Sequence, residues 1–461
     1  MQPSFIAERQ IALQDYINEV LKHQILALTL SVRSFLDPNN YPLDLAEQAL
    51  QTMSIALRGD GRYELKGPMQ KIGWRVRKDY FLVTDTDSKT NCLLSWQSFG
   101  PDRHMHSKDL QAAFKSLQSI SHPFIDEILT IHNLESGAFV VRRIHENGSI
   151  RDLLYGTEYS KSYLSKYGNP KVRKPFTIGQ VAHYGYQILQ ALKFLHDKGL
   201  PHGHIHPGNI TIDNQRVLLM DLENILMGVP CLYRPYLVEL RRVTTAEAVD
   251  VYCFGRTLYE MTFAAPLDDC YYAYEYPFEI AEDLEMVLQL CLSITSCKHG
   301  GPSIEHLLQH PFFTRVTLNG LTPRYDMKGH LKFPLPLKDE LKNAVQKIEI
   351  RLKNDQKLVR SAKREVRIQE ILNSEEELKK QKRKAKKRDS VWKSSSSLAD
   401  TVRSHSGSTA SSPTPPAHSA DTSGNSSQYT PLPTSPSDAR SALLDAICSF
   451  DKNRLSRISS R

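Results

Sequence analysis

The sequence has no long apolar run, no paired cysteine motif and little charge excess outside one segment. The longest apolar stretch near the N-terminus, Ile25 to Leu30, contains Thr29. It falls far short of the roughly 20 residues of a membrane span. The opening MQPSFIAERQ carries no apolar signal region. Seven cysteines lie scattered at 92, 231, 253, 270, 291, 297 and 448. None has CxxC spacing and the number is odd, which excludes a disulfide framework or a zinc ribbon and fits free thiols in a reducing compartment. The expectation is a soluble cytosolic protein. Net charge is +8, but residues 338–388 alone hold 18 basic and 9 acidic side chains. The rest is close to neutral, unlike a nucleic-acid-binding core, which spreads positive charge over a folded face.

A chain of 461 residues is long enough for two or three domains. Hydrophobic residues make up only 40%, so part of the chain is expected to stay unpacked. Residues 5–57 read as helices, with Ile11, Leu13, Ile17, Val20, Leu21 and Ile25 near helical spacing and a break at Asp37-Pro38. Strands are expected over 72–98, a helix over 107–120 and an amphipathic helix over 177–198 ending near Gly199. Val217 to Met220 reads as a short buried strand, followed by helices from Val249 to about Phe313. Residues 337–388 read as a long charged helix or coiled coil with an apolar stripe at Leu341, Val345, Ile348, Leu352, Leu358 and Val366. It runs into the basic stretch 379–388, which suits a solvated helix end, a nuclear-import patch or an anionic membrane surface. Of the 44 residues 394–437, 27 are Ser, Thr or Pro. Such a segment buries too little apolar surface to offset its ordering entropy. Ser412, Thr414, Thr430 and Ser435 precede prolines there and could take phosphates that shift its charge.

The most informative run is Phe194-Leu-His-Asp-Lys-Gly-Leu-Pro-His-Gly-His-Ile-His-Pro-Gly-Asn-Ile210. Asp221-Leu-Glu follows twelve residues after Asn209, then Asp250-Val-Tyr-Cys-Phe-Gly255 and Leu307-Leu-Gln-His-Pro-Phe-Phe313. His122-Pro-Phe-Ile lies upstream. Five landmarks in this order resemble a protein kinase: the turn after helix C, the catalytic loop, the metal-binding DFG segment, the buried helix of the large lobe and the close of that lobe. The resemblance implies an α+β, two-lobed kinase-like fold, with a small strand-rich lobe before a larger helical one.

The chemistry that phosphoryl transfer needs is mostly replaced. The glycine-rich loop should lie in IGWRVRKDYFLVTD, which offers only Gly73. The strand lysine falls at Trp96 and the helix-C glutamate at Ala113. In the catalytic loop Gly203 stands for arginine, His204 for the catalytic aspartate and His206 for lysine. Asn209 and Asp221 are kept, and in the family pattern they hold magnesium. Glu223 replaces the DFG glycine. These losses favour a pseudokinase that requires no cofactor. A residual Mg–nucleotide site at Asn209 and Asp221 stays open, and with it an atypical active Ser/Thr kinase using His204 as base. The alternating His202, His204 and His206 share one face of an extended segment, as zinc ligands can. No nearby cysteine or carboxylate completes a quartet, so no metal site is expected.

The ends carry two further resemblances. Phe5 to Ile17 resembles the last helices of a Phox-homology domain, with Arg9 at the family's headgroup-contacting arginine. The strands and proline-rich loop of that domain are absent, so phosphoinositide binding by this partial domain is not expected. Arg440-Ser-Ala-Leu-Leu-Asp-Ala-Ile447, followed by Leu455-Ser-Arg457, resembles a Wiskott–Aldrich-homology-two actin-binding motif. Leu443, Leu444 and Ile447 form one apolar stripe on a helix too short to be stable alone, which calls for a partner groove. A tail helix docked on its own core is the alternative. Arg440, Leu443, Leu444, Ile447, Leu455 and Arg457 are the implied actin contacts. The combination resembles the Phox-homology-domain-containing serine/threonine kinase-like proteins, modulators of Na,K-ATPase. The expected layout is a partial Phox-homology region over 1–57, a pseudokinase domain over 58–335, a basic helix over 336–388, a disordered linker over 389–437 and the actin-binding motif over 438–461. The resemblance implies a scaffold peripheral to the plasma membrane or endosomes. It would link membrane proteins such as Na,K-ATPase beta subunits to actin and act in receptor trafficking.

Overall fold

The computed structural model describes residues 3–22, 27, 30–37, 45–69, 78–158, 161, 163–168, 170–272, 280–316 and 328–373. The chain divides into two units, Met1–Leu378 and Lys379–Arg461. The second unit, with the basic stretch 379–388, the Ser/Pro linker and the actin-like residues 440–457, lies outside the described residues. So does the segment around Gly73 and Trp74.

The chain opens with helices α1 (Pro3–Lys22), α2 (Leu30–Leu36) and α3 (Leu45–Asp60). The break expected at Asp37-Pro38 is where α2 ends. Five antiparallel strands follow: β1 (Tyr63–Pro68), β2 (Lys78–Asp85), β3 (Asn91–Ser98), β4 (Thr130–Asn133) and β5 (Gly137–Arg143). They pair in the order β1-β2-β3-β5-β4. Helix α4 (Ser107–Gln118) lies between β3 and β4 in the chain.

The period-two alternation of strands gives this sheet two different faces. Phe81, Val83, Cys92, Leu94, Trp96, Phe139 and Val141 form one face, and Ala49, Met53 and Leu57 of α3 pack on it as a separate small core. The helix that reads from sequence as part of a preceding region thus closes the outer face of the small lobe. The opposite face carries Lys78, Tyr80, Leu93, Ser95 and Arg142 into a cleft. Strand β1 was not foreseen. It is a charged edge strand ending in proline, a pattern with little apolar alternation.

The large lobe contains α5 (Ile150–Leu154), α6 (Tyr163–Tyr167), α7 (Ile178–Asp197), the hairpin β6 (Ile210–Asp213) and β7 (Arg216–Leu219), α8 (Arg234–Leu237), α9 (Ala246–Phe263), α10 (Glu282–Leu292), α11 (Ile294–His299), α12 (Ile304–Leu308) and α13 (Pro311–Thr314). Helix α7 begins with a capping box between Thr177 and Gln180, and Gly199 follows its end at φ +74°. Helix α9 is buried nearly all round, as a helix at the centre of a lobe must be. Around it one apolar core runs from α4 through α7, α9 and α10 to Phe312 and Phe313.

The last helix among the described residues, α14, spans Leu335–Asn373. Its Leu337, Leu341, Ala344 and Leu352 belong to the same core. The first half of α14 is therefore packed on the kinase-like lobes, where the sequence suggested an extended helix or coiled coil.

Candidate functional site

The catalytic-loop segment hangs from one carboxylate. Asp250, wholly buried on α9, accepts hydrogen bonds from the backbone N–H of His202 (2.8 Å) and Gly203 (2.6 Å). His196 Nε2 at the end of α7 lies 2.8 Å from the same carboxylate. Burial opposes the His196 charge, but the hydrogen bond and charge of Asp250 prevail and raise its pKa above the ordinary value. Gly203 sits at φ +73°, a conformation that suits glycine. His202 is fully buried, and burial lowers its pKa despite Asp250. Its Nδ1 accepts from the His204 backbone N–H at 3.1 Å, and Asn209 Nδ2 donates to the His204 carbonyl at 3.0 Å. His206 Nδ1 accepts from Gly208 N–H at 3.0 Å. The rings of His202 and His206 thus bond the loop's own backbone, and His204 takes part through its backbone N–H and carbonyl. Among the described residues, no group of three or more His, Cys, Asp or Glu is arranged to hold a metal ion.

Between the lobes lies a cleft, partly open to solvent, whose lining includes Asn209 and Asp221. Its inner wall is an ion-pair cluster. Lys78 Nζ reaches Asp221 Oδ1 at 2.6 Å. Arg142 makes two hydrogen bonds to Glu223, at 3.3 and 2.7 Å, and lies 3.6 Å from Asp126 and 3.9 Å from Asp221. His145 Nε2 closes the network 3.0 Å from Asp126. Burial works against the Arg142 charge, but Glu223, Asp221 and Asp126 overcome it and hold its pKa above the ordinary value. Two buried cations face three buried carboxylates, so each cation is paired within the protein and the carboxylates hold one charge in excess. Asp221 adopts the left-handed region at φ +66°, ψ 28°, at a cost of about 1–3 kcal/mol for a non-glycine residue. Lys78 and Asn224, whose Nδ2 donates to Asp221 Oδ2 at 3.3 Å, hold it there.

The lining of the cleft holds a second paired carboxylate. Asp152, in the first turn of α5, makes a capping box with Ser149. It also receives Lys166 Nζ at 2.8 Å and the Tyr167 hydroxyl at 2.6 Å, both from α6. Burial tends to raise the Asp152 pKa, but Lys166 and these hydrogen bonds lower it below the ordinary carboxylate value.

The residues singled out from sequence separate in space. Asn209 and Asp221 share the cleft. Trp96 does not: its indole lies in the outer core, and the β3 residues facing the cleft are Leu93 and Ser95. A side chain at position 96 points away from the cleft, because side chains alternate along a strand. Lysine is not missing from the cleft either. Lys78 arrives from β2, and its position could have been read from the Phe81/Val83 alternation, which turns Lys78 and Tyr80 to the opposite face. Ala113 is buried in the main core on α4. Arg142 and Glu223 form a pair that no sequence landmark announced. Arg9 falls in α1, and its side chain lies outside the described residues.

His204, at the catalytic-aspartate position, is buried and lines a second, smaller cavity with Gly203, Ile225, Cys231 and Arg234. Ile348, Glu349 and Leu352 of α14 form the opposite wall. Helix α14 is tied to both lobes here. Arg351 bonds Pro101 O at 2.7 Å and Asp102 at 2.8 Å on the small-lobe side. Glu349 accepts from Ala246 N–H at 2.9 Å, at the positive N-terminus of α9. Gln356, buried, donates to the carbonyls of Leu237 and Val243 at 3.0 Å each. Asp355 pairs with Arg234 at 2.6 Å. The segment after Asp221 is pinned from the small-lobe side as well. Gly100 N–H donates to Met227 O and Asp102 N–H to Gly228 O, an approach so close that a Cβ on Gly228 would lie 1.9 Å from Arg103 N.

Comparison with known proteins agrees with this architecture. The family model for protein tyrosine and serine/threonine kinases matches residues 87–222. PX domain-containing protein kinase-like protein of Mus musculus is 40% identical over 370 residues, covering 80% of this chain and 62% of that protein. Slowpoke-binding protein of Drosophila melanogaster is 34% identical over 230 residues, 47% of this chain and 44% of that protein. Probable inactive serine/threonine-protein kinase slob1 of Dictyostelium discoideum is 28% identical over 293 residues, 57% and 49%. The chain spans less than two thirds of the length of these relatives. Among the described residues no helix is long and apolar enough to cross a membrane.

Proposed function

We propose, for a chain that belongs with the PX domain-containing protein kinase-like proteins, a non-catalytic role: a kinase-shaped scaffold that presents surfaces to partners and transfers no phosphate. The observation that carries this reading is how the charged groups of the cleft and the base position are occupied. The cleft lysine and the magnesium aspartate neutralise each other across 2.6 Å. The base position is a histidine buried beneath α14. Transfer requires compensating groups aimed at the substrate's charge. Here they are aimed at one another. The naming of two Dictyostelium relatives as probable inactive kinases supports the same reading.

The test is a thermal-shift titration of the full chain with ATP, with and without magnesium. A ligand that binds only the folded state raises the melting temperature once its concentration passes the dissociation constant. The scaffold reading expects no shift at millimolar ATP. A second reading, an atypical kinase, draws on one specific observation: Lys78, Asn209 and Asp221 line the same cleft. Under that reading Asn209 and Asp221 would hold magnesium and His204 would accept the proton, and a magnesium-dependent shift would vanish in Asp221→Ala.

The partners belong to the same proposal. Arg440, Leu443, Leu444, Ile447, Leu455 and Arg457 would bind actin through the short apolar stripe, and Leu443→Ala with Leu444→Ala should abolish binding of the full chain to monomeric actin. Membrane proteins are the second class: Na,K-ATPase beta subunits by family resemblance, and a channel by the name of the Drosophila relative. Co-precipitation of the full chain with each, from detergent-solubilised membranes, tests both. Such a scaffold would sit at the plasma membrane or endosomes, where fractionation should find it.

A further inference from the structure

We propose that the groove beside the catalytic loop is a helix-docking site, and that α14 fills it in cis as a removable plug. An amphipathic partner helix of the same chemistry would take its place. This goes beyond the scaffold reading and stands whether or not nucleotide binds.

The groove itself supplies the specificity. It offers apolar floor at Ile225, Val229, Leu237 and Val249. At one side the N-terminus of α9 presents the Ala246 N–H, which favours an anion. Further along, two carbonyls, of Leu237 and Val243, await a double donor. Helix α14 meets these demands in register: Glu349 at the helix N-terminus, Leu352 on the apolar floor and Gln356 at the carbonyl pair. The spacing i, i+3, i+7 is one face of a helix. A helix in a groove is a recurring recognition mode, and α14 shows which side chains this groove accepts.

Three features make α14 a plug and not a fixed wall. The first turns of α14 are anchored in the core through Leu337, Leu341 and Ala344, but the ties flanking its groove segment include ion pairs with a side chain in solvent: Arg351, 42% exposed, to Asp102, and Lys363, 63% exposed, to Glu239. Such pairs contribute little and weaken with salt. A cavity remains between α14 and His204, so the interface is not packed to core density there. Helix α14 also bridges the lobes through Arg351, so its release would free the small-lobe loop at Pro101 and Asp102 as well as the groove.

The experiment uses the full chain with Leu352→Glu plus Gln356→Ala, against wild type. Hydrogen exchange is followed in residues 225–250 and 99–103. A fluorescent peptide of residues 338–360 is then titrated into both proteins. The proposal expects a folded variant, exchange in both segments faster by about tenfold or more, and saturable peptide binding to the variant alone. A folded variant with unchanged exchange, or one that binds no peptide, would overturn it. So would cooperative unfolding of the variant, since α14 would then be part of the core. A gentler pair guards that last outcome. Arg351→Asp should loosen the 99–103 segment, and adding Asp102→Arg should restore its protection. Loosening without restoration would count against the bridge.

Discussion

Asp250 and Asp221 are both buried aspartates at landmark positions, and they serve opposite ends. Asp250 is surrounded by two backbone N–H groups and one imidazole. It fixes the path of the catalytic loop and would do so whatever chemistry the loop performed. Asp221 is surrounded by side-chain cations, Lys78 and Arg142, and is held in a strained conformation. The first region keeps the kinase frame. In the second, the aspartate at the metal-binding landmark is paired with cations of the small lobe. Fold and activity can be separated in such a molecule, because backbone-directed bonds and substrate-directed charges come from different residues.

The largest expected effect is at the frame. Asp250→Ala leaves two buried N–H groups unpaired and should cost about 3–5 kcal/mol, read as a fall in the denaturation midpoint of the full chain. Arg142→Ala should cost a similar but slightly smaller amount, because it strands Glu223 and Asp126 in the interior. Arg142→Met combined with Glu223→Leu should recover most of that loss. If the double variant is no better than the single, the cluster is not acting as a compensated pair.

Trp96 sharpens the contrast between the two sheet faces. Trp96→Ala should cost about 3–5 kcal/mol through a cavity in the outer core, whereas Ser95→Ala should change stability by under about 1 kcal/mol. Comparable losses at both positions would contradict the assignment of faces.

The smallest effect is in the pH dependence. His196 has a folded pKa above its unfolded value, so its contribution is fully present below about 6.5 and is lost as pH rises through the raised folded value. His202 is opposite: its folded pKa is lowered, so its contribution is present above about 6.5 and is lost as pH falls toward the folded value. The stability gap between wild type and His196→Gln should therefore narrow from pH 6 to pH 8, and the gap for His202→Asn should widen. Denaturant midpoints at the two pH values check both signs.

Much of the large lobe is legible in the sequence because its signals are local. The capping box and period of α7, the end at Gly199 and the Asp250–Gly255 run of α9 each declare themselves within a few turns. The order of the landmarks gives the two-lobed fold. The cleft is less legible, since its pairs are distant in sequence: Lys78 with Asp221, and Arg142 with Glu223. Trp96 was placed at the lysine position by aligning a short apolar run, and a one-residue shift in a strand exchanges the faces. The docking of α14 left no local trace either. The same Leu341, Leu352 stripe serves a coiled coil or a groove, and only the partner surface decides between them.

The central claim, that the catalytic groups compensate one another and transfer nothing, is tested most directly by phosphotransfer. The purified full chain is incubated with magnesium and γ-labelled ATP, alone and with a generic protein substrate, beside Asp221→Ala and His204→Ala. The account predicts incorporation no higher in wild type than in either variant. Incorporation into wild type that disappears in both variants would contradict it.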